Sequence, residues 1–228
     1  MERPDISRQP DPSQSRQSVS CVLRRVAWAS LTLLCLCAAV LVNACSGGNP
    51  PVPPATGWVN FAKNAFTPLG HTFTIGTNPI PGYVTEPPPA PLLQGKTITL
   101  NYTVNGNGPY TIVDPSDVPP ASITLFIWEK GDTLSSTTPG YQYYRWWCPT
   151  RAVLVPGANQ TLSCVIGGQW TNVVGQAANG ADPNAPGGFA QALANAQGVG
   201  FTFGGGYFYG HGVTDGSTTF TINNFTIQ

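Results

Sequence analysis

A strict two-residue alternation over residues 96–104 is the feature that most limits how this 228-residue chain can fold. The apolar members on one side are Ile98, Leu100, Tyr102 and Val104, and those on the other side are threonine and asparagine. Successive side chains of a strand point to opposite faces, so this period is that of a half-buried antiparallel strand. We therefore expect a sheet with one face in a core and the other in solvent.

Six further segments have strand patterns and are separated by clusters of glycine and proline. The stronger ones are 122–128, 160–166, 199–203 and 218–227, and the weaker ones are 58–61 and 71–75. Segment 122–128 is apolar on both faces, which predicts a central strand. Segment 218–227 breaks phase at Asn223-Asn224, which predicts a β-bulge. Only 189–196 has a helical pattern, so we expect an all-β fold, a sandwich or barrel with one short helix.

The charge of the chain limits its partners. It has 10 Lys+Arg and 10 Asp+Glu, and only 9% of its residues are charged. Nucleic acid is not expected as a partner, because no surplus of basic side chains is present to neutralise phosphates. Beyond residue 44 five basic and seven acidic residues remain, on a background rich in Thr, Asn, Gln and Ser. Such a surface suits neutral partners.

The N-terminal region has the composition of an export signal. Arg24 and Arg25 precede an apolar stretch, 26–42, in which only Ser30 and Thr32 are polar. A basic start, an apolar centre and small residues before a cleavage site are typical of a secretory signal. The alternative is a single membrane-spanning helix, since the stretch is near the lower length limit for a span. Residues 1–23 are predicted to be disordered sequence ahead of the signal.

The sequence Val42-Asn43-Ala44-Cys45 resembles the lipobox of bacterial lipoproteins, with an aliphatic residue three positions before the cysteine and a small residue just before it. The resemblance implies cleavage after residue 44 and lipidation of Cys45, which would anchor the chain to the lipid bilayer of the cell envelope. Ser46 is compatible with sorting to the outer membrane of a diderm bacterium. Residues 45–56 are rich in Gly and Pro and predict an extended tether of about 30 Å.

Two cysteines remain in the predicted domain, 57–228, once the signal and the lipidated residue are set aside. In an exported protein the pair Cys148 and Cys164 predicts a disulfide. No CxxC spacing supports a metal or redox site. The two histidines, His71 and His211, do not supply the three or more ligands that a metal site requires. We therefore predict no metal and no other cofactor.

The order of the strand segments gives a second resemblance. GKTITLNYTV, SITLFIW, LSCVIGGQWTNV, VGFTF and TTFTINNFTI follow one another in a rhythm similar to the jelly roll of the galactose-binding-like superfamily, which includes many carbohydrate-binding modules. The resemblance covers residues 57–228 and implies a β-sandwich in which aromatic side chains stack on sugar rings. Those modules often carry an Asp pair near a structural calcium in the closing strand. Asn223-Asn224 stands there in this chain, so calcium is not expected.

The segment YQYYRWWC contains the candidate binding residues. If it is a strand with Cys148 directed inward, Tyr141, Tyr143, Arg145 and Trp147 share the opposite face. Three rings around one guanidinium would form a platform for stacking on sugars and hydrogen-bonding their hydroxyls. The alternative is that this face is covered by loops or by the second sheet's core, with Arg145 bonded to backbone carbonyls.

Catalytic groups are not predicted. A glycosidase needs two opposed carboxylates, whereas Glu129 and Asp132, beside the strong strand 122–128, fit an exposed turn. A GxSxG motif is also absent from the sequence. We expect a non-catalytic binding protein with a neutral glycan as its ligand. A structural or adhesion component that binds another envelope protein is the alternative, and a glycoside hydrolase is third, to be recognised by two carboxylates converging in a pocket.

Overall fold

The computed structural model describes residues 57–62, 65–76, 80–206, 210–215 and 217–228. The predicted signal, Cys45 and the tether as far as residue 56 lie outside the described residues. Within the described part the chain forms thirteen strands, one α-helix and one short 3-10 helix. The α-helix, α1, is Ala185–Ala194 and the 3-10 helix is Tyr141–Tyr143.

Three antiparallel sheets contain all of the described strands. The larger sheet has the members β1 (Val59–Ala62), β2 (Ala65–Pro68), β4 (Tyr83–Glu86), β7 (Ser122–Glu129), β8 (Arg145–Val153), β10 (Thr171–Asn172) and β11 (Ala196–Gly204), in the spatial order β10-β8-β7-β11-β4-β1-β2. The smaller sheet has the members β3 (Thr72–Thr74), β5 (Thr97–Asn105), β9 (Gly157–Val165) and β13 (Thr219–Ile227), in the order β3-β13-β5-β9. A two-stranded ribbon pairs β6 (Thr111–Ile112) with β12 (Val213–Thr214).

The main core lies between the larger and the smaller sheet. The predicted alternation of β5 is confirmed, since every second side chain from Ile98 to Val104 is buried. Aromatic rings of the two sheets meet across the core, with centroids of Phe201 and Phe220 5.2 Å apart and those of Phe203 and Phe220 also 5.2 Å apart. The fold is an all-β sandwich, as the sequence predicts.

The larger sheet is buried on its other face as well. All eight residues of β7 are buried, and this strand lies between β8 and β11, as predicted for a central strand. The members of the second apolar cluster, here called the outer aromatic cluster, are Phe61, Tyr83, Phe126, Trp128 and Trp147. Their rings pack closely, with centroids 4.9 Å apart for Phe61 and Trp128. Two-sided burial of this kind explains why the sequence of β7 does not alternate.

Two local predictions differ in outcome. The β-bulge near Asn223-Asn224 is confirmed, because the register of β13 against β5 shifts between Ile222 and Asn224. The predicted helix at 189–196 had the wrong bounds. The helix α1 begins at Ala185, and Ala196 is already the first residue of β11, where it pairs with Glu129 of β7. Pro186 lies in the first turn of α1, where its fixed φ favours a helix start that apolar periodicity does not reveal.

The predicted disulfide joins the two sheets. Cys148 lies on β8 of the larger sheet and Cys164 on β9 of the smaller one, 16 positions apart in sequence. Both cysteines are buried in the main core. The bond therefore links the two sheets in the folded protein. It also reduces the conformational freedom of the unfolded chain.

We predict that the double substitution Cys148→Ala/Cys164→Ala lowers the free energy of unfolding by about 3 kcal/mol, the loop-closure contribution of a cross-link of this span. Urea denaturation followed by tryptophan fluorescence measures the change. The oxidised parent protein should lose a similar amount on reduction, whereas the double variant should not respond to the reductant. An unfolding midpoint of the parent that reduction leaves unchanged would contradict the prediction.

Candidate functional site

The predicted platform segment is not a single strand. Tyr141–Tyr143 forms the 3-10 helix, and β8 begins only at Arg145. Gly140, just before the 3-10 helix, has a φ of 73°, a conformation that glycine adopts without strain. The strand prediction was therefore wrong for Tyr141 to Tyr144, because the chain turns at Gly140 before it enters the sheet.

Arg145 and Trp147 do share the face opposite Cys148, but this face is covered. Only 6% of Arg145 and 3% of Trp147 are exposed. The Trp147 ring packs on Phe126 with centroids 5.0 Å apart, and its Nε1 donates to Thr202 Oγ1 at 3.2 Å. The open platform is thus not formed by these two residues. Tyr141 and Tyr143 are half-buried, and ligand binding by them stays a prediction.

Arg145 pairs with a carboxylate rather than with backbone carbonyls. Its Nε lies 3.0 Å from Asp132 Oδ2, and both side chains are buried. Asp132 Oδ1 accepts the backbone N–H of Leu134 at 2.8 Å. Burial raises the pKa of Asp132 although the neighbouring guanidinium opposes the rise. Burial also raises the pKa of Tyr83, whose hydroxyl lies near Arg145.

The prediction that Glu129 and Asp132 occupy an exposed turn was wrong. They are only 4% and 2% exposed. Asp132 turns inward to Arg145, and Glu129 lies under α1. The loop between β7 and β8 therefore folds back onto the sandwich, with its start and end joined by a hydrogen bond from Glu129 N to Tyr144 O of 2.8 Å.

A cleft of about 350 Å³ lies between this loop and α1. Its lining consists of Glu129, Pro139, Gly140, Tyr143, Tyr144, Asn184, Gly188 and Gln191. We call it the Tyr143 cleft. Of the candidate residues from the sequence, Tyr143 alone lines it, whereas Tyr141, Arg145 and Trp147 do not.

Hydrogen bonds fix the polar groups of the Tyr143 cleft. Gln191 Nε2 donates to Glu129 Oε1 at 2.8 Å. Burial raises the pKa of Glu129, and the hydrogen bonds from Gln191 and Asn195 oppose this rise. On the other wall, Tyr143 Oη donates to Asp182 Oδ2 at 2.7 Å.

Asp182 also holds the start of α1, because its Oδ1 accepts the backbone N–H of Asn184 at 3.0 Å. The same carboxylate therefore orients the Tyr143 ring and the first turn of the helix that forms the opposite wall. No local sequence pattern indicates this pairing, since the two side chains are 39 positions apart.

Gly188 brings α1 against the tyrosine. A Cβ at this position would lie 2.7 Å from the Cβ of Tyr143, closer than side chains tolerate. The neighbouring Gly187 has open space where its Cβ would be. The pair Gly187-Gly188 directly after Pro186 is the sequence signal for this close approach, and it was missed.

The chemistry of the Tyr143 cleft suits a neutral, hydroxyl-rich ligand. Two phenol rings, one carboxyl group and two carboxamides line it, with no basic side chain among the lining residues. Ring faces pack against C–H groups, and carboxyl and amide groups accept from and donate to hydroxyls.

A second cavity, of about 680 Å³, lies at the other end of β7. Ala121, just before β7, lines it, whereas Glu129 at the end of β7 lines the Tyr143 cleft. A strand of this length separates the two by about 25 Å. We call this cavity the proline groove, because its lining includes Pro109, Pro115, Pro119, Pro120 and Pro156.

The carboxylates of the proline groove are bonded to neighbouring groups. Asp114 Oδ1 accepts from the backbone N–H and the hydroxyl of Ser116 at 2.9 and 2.6 Å, and Asp117 Oδ1 accepts from Val118 N at 2.8 Å. Val153 and Val155 on its wall are 50% and 46% exposed. The groove therefore presents mainly apolar surface.

The described residues provide neither a metal-binding cluster nor a membrane-spanning helix. They contain no group of three or more His, Cys, Asp or Glu side chains arranged to hold a metal ion. None of their helices is long and apolar enough to cross a membrane. Comparisons of the chain with protein-family models, with curated proteins and with solved structures found no match.

The two adjacent glycines of α1 provide a matched test of the cleft. We predict that Gly187→Ala raises the free energy of unfolding by about 0.5 to 1 kcal/mol, because alanine is the better helix former and its methyl group meets nothing. Gly188→Ala should lose this gain, since its methyl group must displace Tyr143. Urea denaturation of both variants gives the comparison, and equal stabilisation by the two would contradict the packing described.

Proposed function

We propose that the protein is an exported bacterial lipoprotein, anchored through Cys45, whose β-sandwich binds neutral glycans without catalysing a reaction on them. The lipobox-like sequence and the Gly- and Pro-rich residues 45–56 support the anchor. The disulfide between Cys148 and Cys164 fits an oxidising compartment outside the cytosol. The outer membrane of a diderm bacterium is the proposed location.

The composition of the Tyr143 cleft is the observation that carries the glycan proposal. Tyr143 and Tyr144 offer ring surface, and Asn184 offers a carboxamide. Glu129 and Gln191 offer hydrogen-bonding groups that are held in place by the bond between them. A sugar presents the same two kinds of surface, with C–H groups on its faces and hydroxyls around its edge. Since no basic side chain lines the cleft, an anionic ligand would gain no charge partner there.

The size of the Tyr143 cleft limits the ligand further. Its volume of about 350 Å³ is near the small end of the range of ligand sites, which runs from about 300 to 1,000 Å³. We therefore propose that it binds a terminal sugar unit or a short oligosaccharide, and not the length of a polymer.

Binding without catalysis is supported by the number and state of the carboxylates. Among the described residues, Glu129 is the one carboxylate that lines the Tyr143 cleft. Asp182, behind Tyr143, is already bonded to the Tyr143 hydroxyl and to Asn184 N. Glycoside hydrolysis uses two carboxyl groups facing the scissile bond from opposite sides. The raised pKa of Glu129 would suit a general acid, so a hydrolase remains the third candidate.

The alternative function is the binding of another envelope protein, and the proline groove favours it. Apolar groove walls with exposed Val153 and Val155 are more typical of protein contacts than of sugar sites. Under this alternative the protein would be a structural or adhesion component, and its partner would occupy the end of the sandwich opposite the Tyr143 cleft.

We predict that Tyr143→Ala weakens binding of a neutral oligosaccharide by about tenfold, the usual contribution of one stacked ring. A glycan array identifies the ligand, and isothermal titration calorimetry of the best hit measures its affinity. Gln142→Ala is the control and should bind like the parent, because Gln142 lies in the same 3-10 helix but does not line the cleft.

Two results would count against the glycan proposal. One is an array without any neutral hit for the parent protein, and the other is equal affinity for the parent and the Tyr143→Ala variant. Loss of a co-purified envelope protein on Val153→Asp, with no glycan bound by the parent, would instead support the alternative.

We predict that Cys45→Ser abolishes incorporation of tritiated palmitate and releases the protein from the membrane fraction, because the thiol is the proposed attachment point of the lipid. Cys37→Ser is the control and should retain the label, since Leu36 before it is too large for the cleavage position. Labelling that persists in Cys45→Ser would exclude this site of lipidation.

A further inference from the structure

The outward face of the smaller sheet is uniform in composition. Every second residue of β5 from Thr97 to Asn105 points outward and is threonine or asparagine. The residues paired beside them are mostly of the same kind, as in the row formed by Thr226 of β13, Thr99 of β5 and Ser163 of β9. We call this surface the polar face.

Side chains of neighbouring strands are hydrogen-bonded to each other across the polar face. The hydroxyls of Thr99 and Ser163 are 2.9 Å apart, and Thr161 Oγ1 donates to Asn101 Oδ1 at 2.8 Å. Further along, the hydroxyls of Thr72 and Thr221 are 3.2 Å apart. Asn223 Nδ2 donates to Thr103 Oγ1 at 2.9 Å and to Asn159 Oδ1 at 3.2 Å. These bonds connect all four strands.

The lateral bonds fix the side chains before any partner arrives. Threonine is already restricted at χ1 by its branched Cβ, and the bonds restrict it further. A partner therefore loses less conformational entropy on this face than on one with long, free side chains. Each hydroxyl has one donor and two acceptor sites, so a lateral bond leaves capacity for an outward one.

The four strands that form the polar face have no charged side chains. The sequences of β3, β5, β9 and β13 contain no Asp, Glu, Lys, Arg or His. An anionic or cationic partner would lose its hydration there without gaining an opposite charge. The lack of charge in these strands therefore favours a neutral partner.

A protein partner fits poorly as well. Protein interfaces depend on aromatic and large apolar side chains at their centre. The outward side chains of these four described strands include no aromatic residue, and Val165, 56% exposed at the end of β9, is the large apolar one. A partner must gain its affinity from neutral hydrogen bonds spread over the face.

We propose that the polar face binds the length of a neutral polysaccharide, with rows of threonine, serine and asparagine bonded to its hydroxyls. The inference shares its ligand class with the proposed function but rests on different residues from the Tyr143 cleft.

Ice is an alternative partner for the polar face, because the ordered water at its surface presents similar hydroxyls. The register of the sheet argues against ice as the partner. The β13–β5 pairing shifts between Ile222 and Asn224, and the β5–β9 pairing shifts between Tyr102 and Val104. A crystal lattice requires an uninterrupted repeat, whereas a polysaccharide chain adjusts by rotation about its glycosidic bonds. Two interruptions in one small sheet therefore favour the polysaccharide.

The triple variant Thr99→Val/Thr161→Val/Thr221→Val tests the proposal. Valine keeps the shape and branching of threonine and removes the hydroxyl. Sedimentation with microcrystalline cellulose, with chitin and with insoluble starch gives the binding isotherms. We expect the triple variant to bind the recognised polymer about tenfold more weakly than the parent, since each lost hydrogen bond contributes modestly. Thr150→Val, an exposed threonine of β8 in the larger sheet, is the control and should bind like the parent.

A second variant keeps the proposal testable if the triple variant does not fold. Thr221→Glu places one charge on the polar face at a half-exposed position and should reduce binding of the same polymer in the same assay. Circular dichroism of all the variants verifies that the sandwich has formed.

The outcomes separate this proposal from the one for the Tyr143 cleft. If the triple variant loses polymer affinity and keeps oligosaccharide affinity, while Tyr143→Ala loses oligosaccharide affinity, both proposals are supported. If Tyr143→Ala changes nothing and the triple variant loses polymer affinity, the cleft proposal fails alone. Equal polymer affinity of the triple variant and the parent would overturn the proposal for the polar face. A parent that binds none of the three polymers would also overturn it, as would one that inhibits ice growth instead.

Discussion

Burial of the larger sheet on both faces is the constraint from which the rest of the structure follows. Its inner face packs on the smaller sheet, and its outer face carries the aromatic cluster around Phe126 and Trp147. The outer face must be covered, and Leu134 of the β7–β8 loop packs there. The ion pair between Asp132 and Arg145 holds this loop in place. The end of the same loop then meets α1, which creates the Tyr143 cleft.

The smaller sheet contrasts with the larger one, because only one of its faces is buried. The inward side chains of β5 complete the core, and the outward ones remain in solvent as threonine and asparagine. The sandwich thus offers three places to a partner: the Tyr143 cleft, the proline groove and the polar face. Both cavities lie at ends of β7, where loops meet, and the face lies along the strands.

Local sequence patterns were sufficient to predict the strands whose residues are buried on one face, as in β5, or on both faces, as in β7. The alternation of β5, the continuous apolar run of β7 and the phase break at Asn223-Asn224 each predicted what the fold contains. The alternation of side chains along a strand also placed Arg145 and Trp147 on the face opposite Cys148, as observed. It could not show whether that face is open, because the side chains that pack on it, those of Phe66, Leu134 and Val173, come from other segments of the chain.

The Tyr143 cleft was beyond sequence reasoning for a related reason. Its bonds join residues far apart in the chain, such as Gln191 and Glu129, which are 62 positions apart. The charged residues in the sequence WEKGD, residues 128–132, predicted an exposed turn, since an unpaired carboxylate is rarely buried. The partners that permit burial, Arg145 and Gln191, lie outside the motif, and no local pattern indicates them.

Four of the eleven charged residues that the structure describes in the domain are buried, and this limits how the domain can bind. Asp117, Glu129, Asp132 and Arg145 are all buried, so electrostatic attraction contributes little at the surface. Binding then depends on hydrogen bonds and ring contacts between neutral groups, and each such contact is weak. Under the two proposals, the Tyr143 cleft would hold a chain end and the polar face would hold the chain's length. Both contacts would then act on one polymer from one rigid domain, where the second contact forms at high effective concentration. Under the proposed lipid anchoring, many copies side by side on a membrane would multiply this effect, so affinity for a polymer would not require any single strong site.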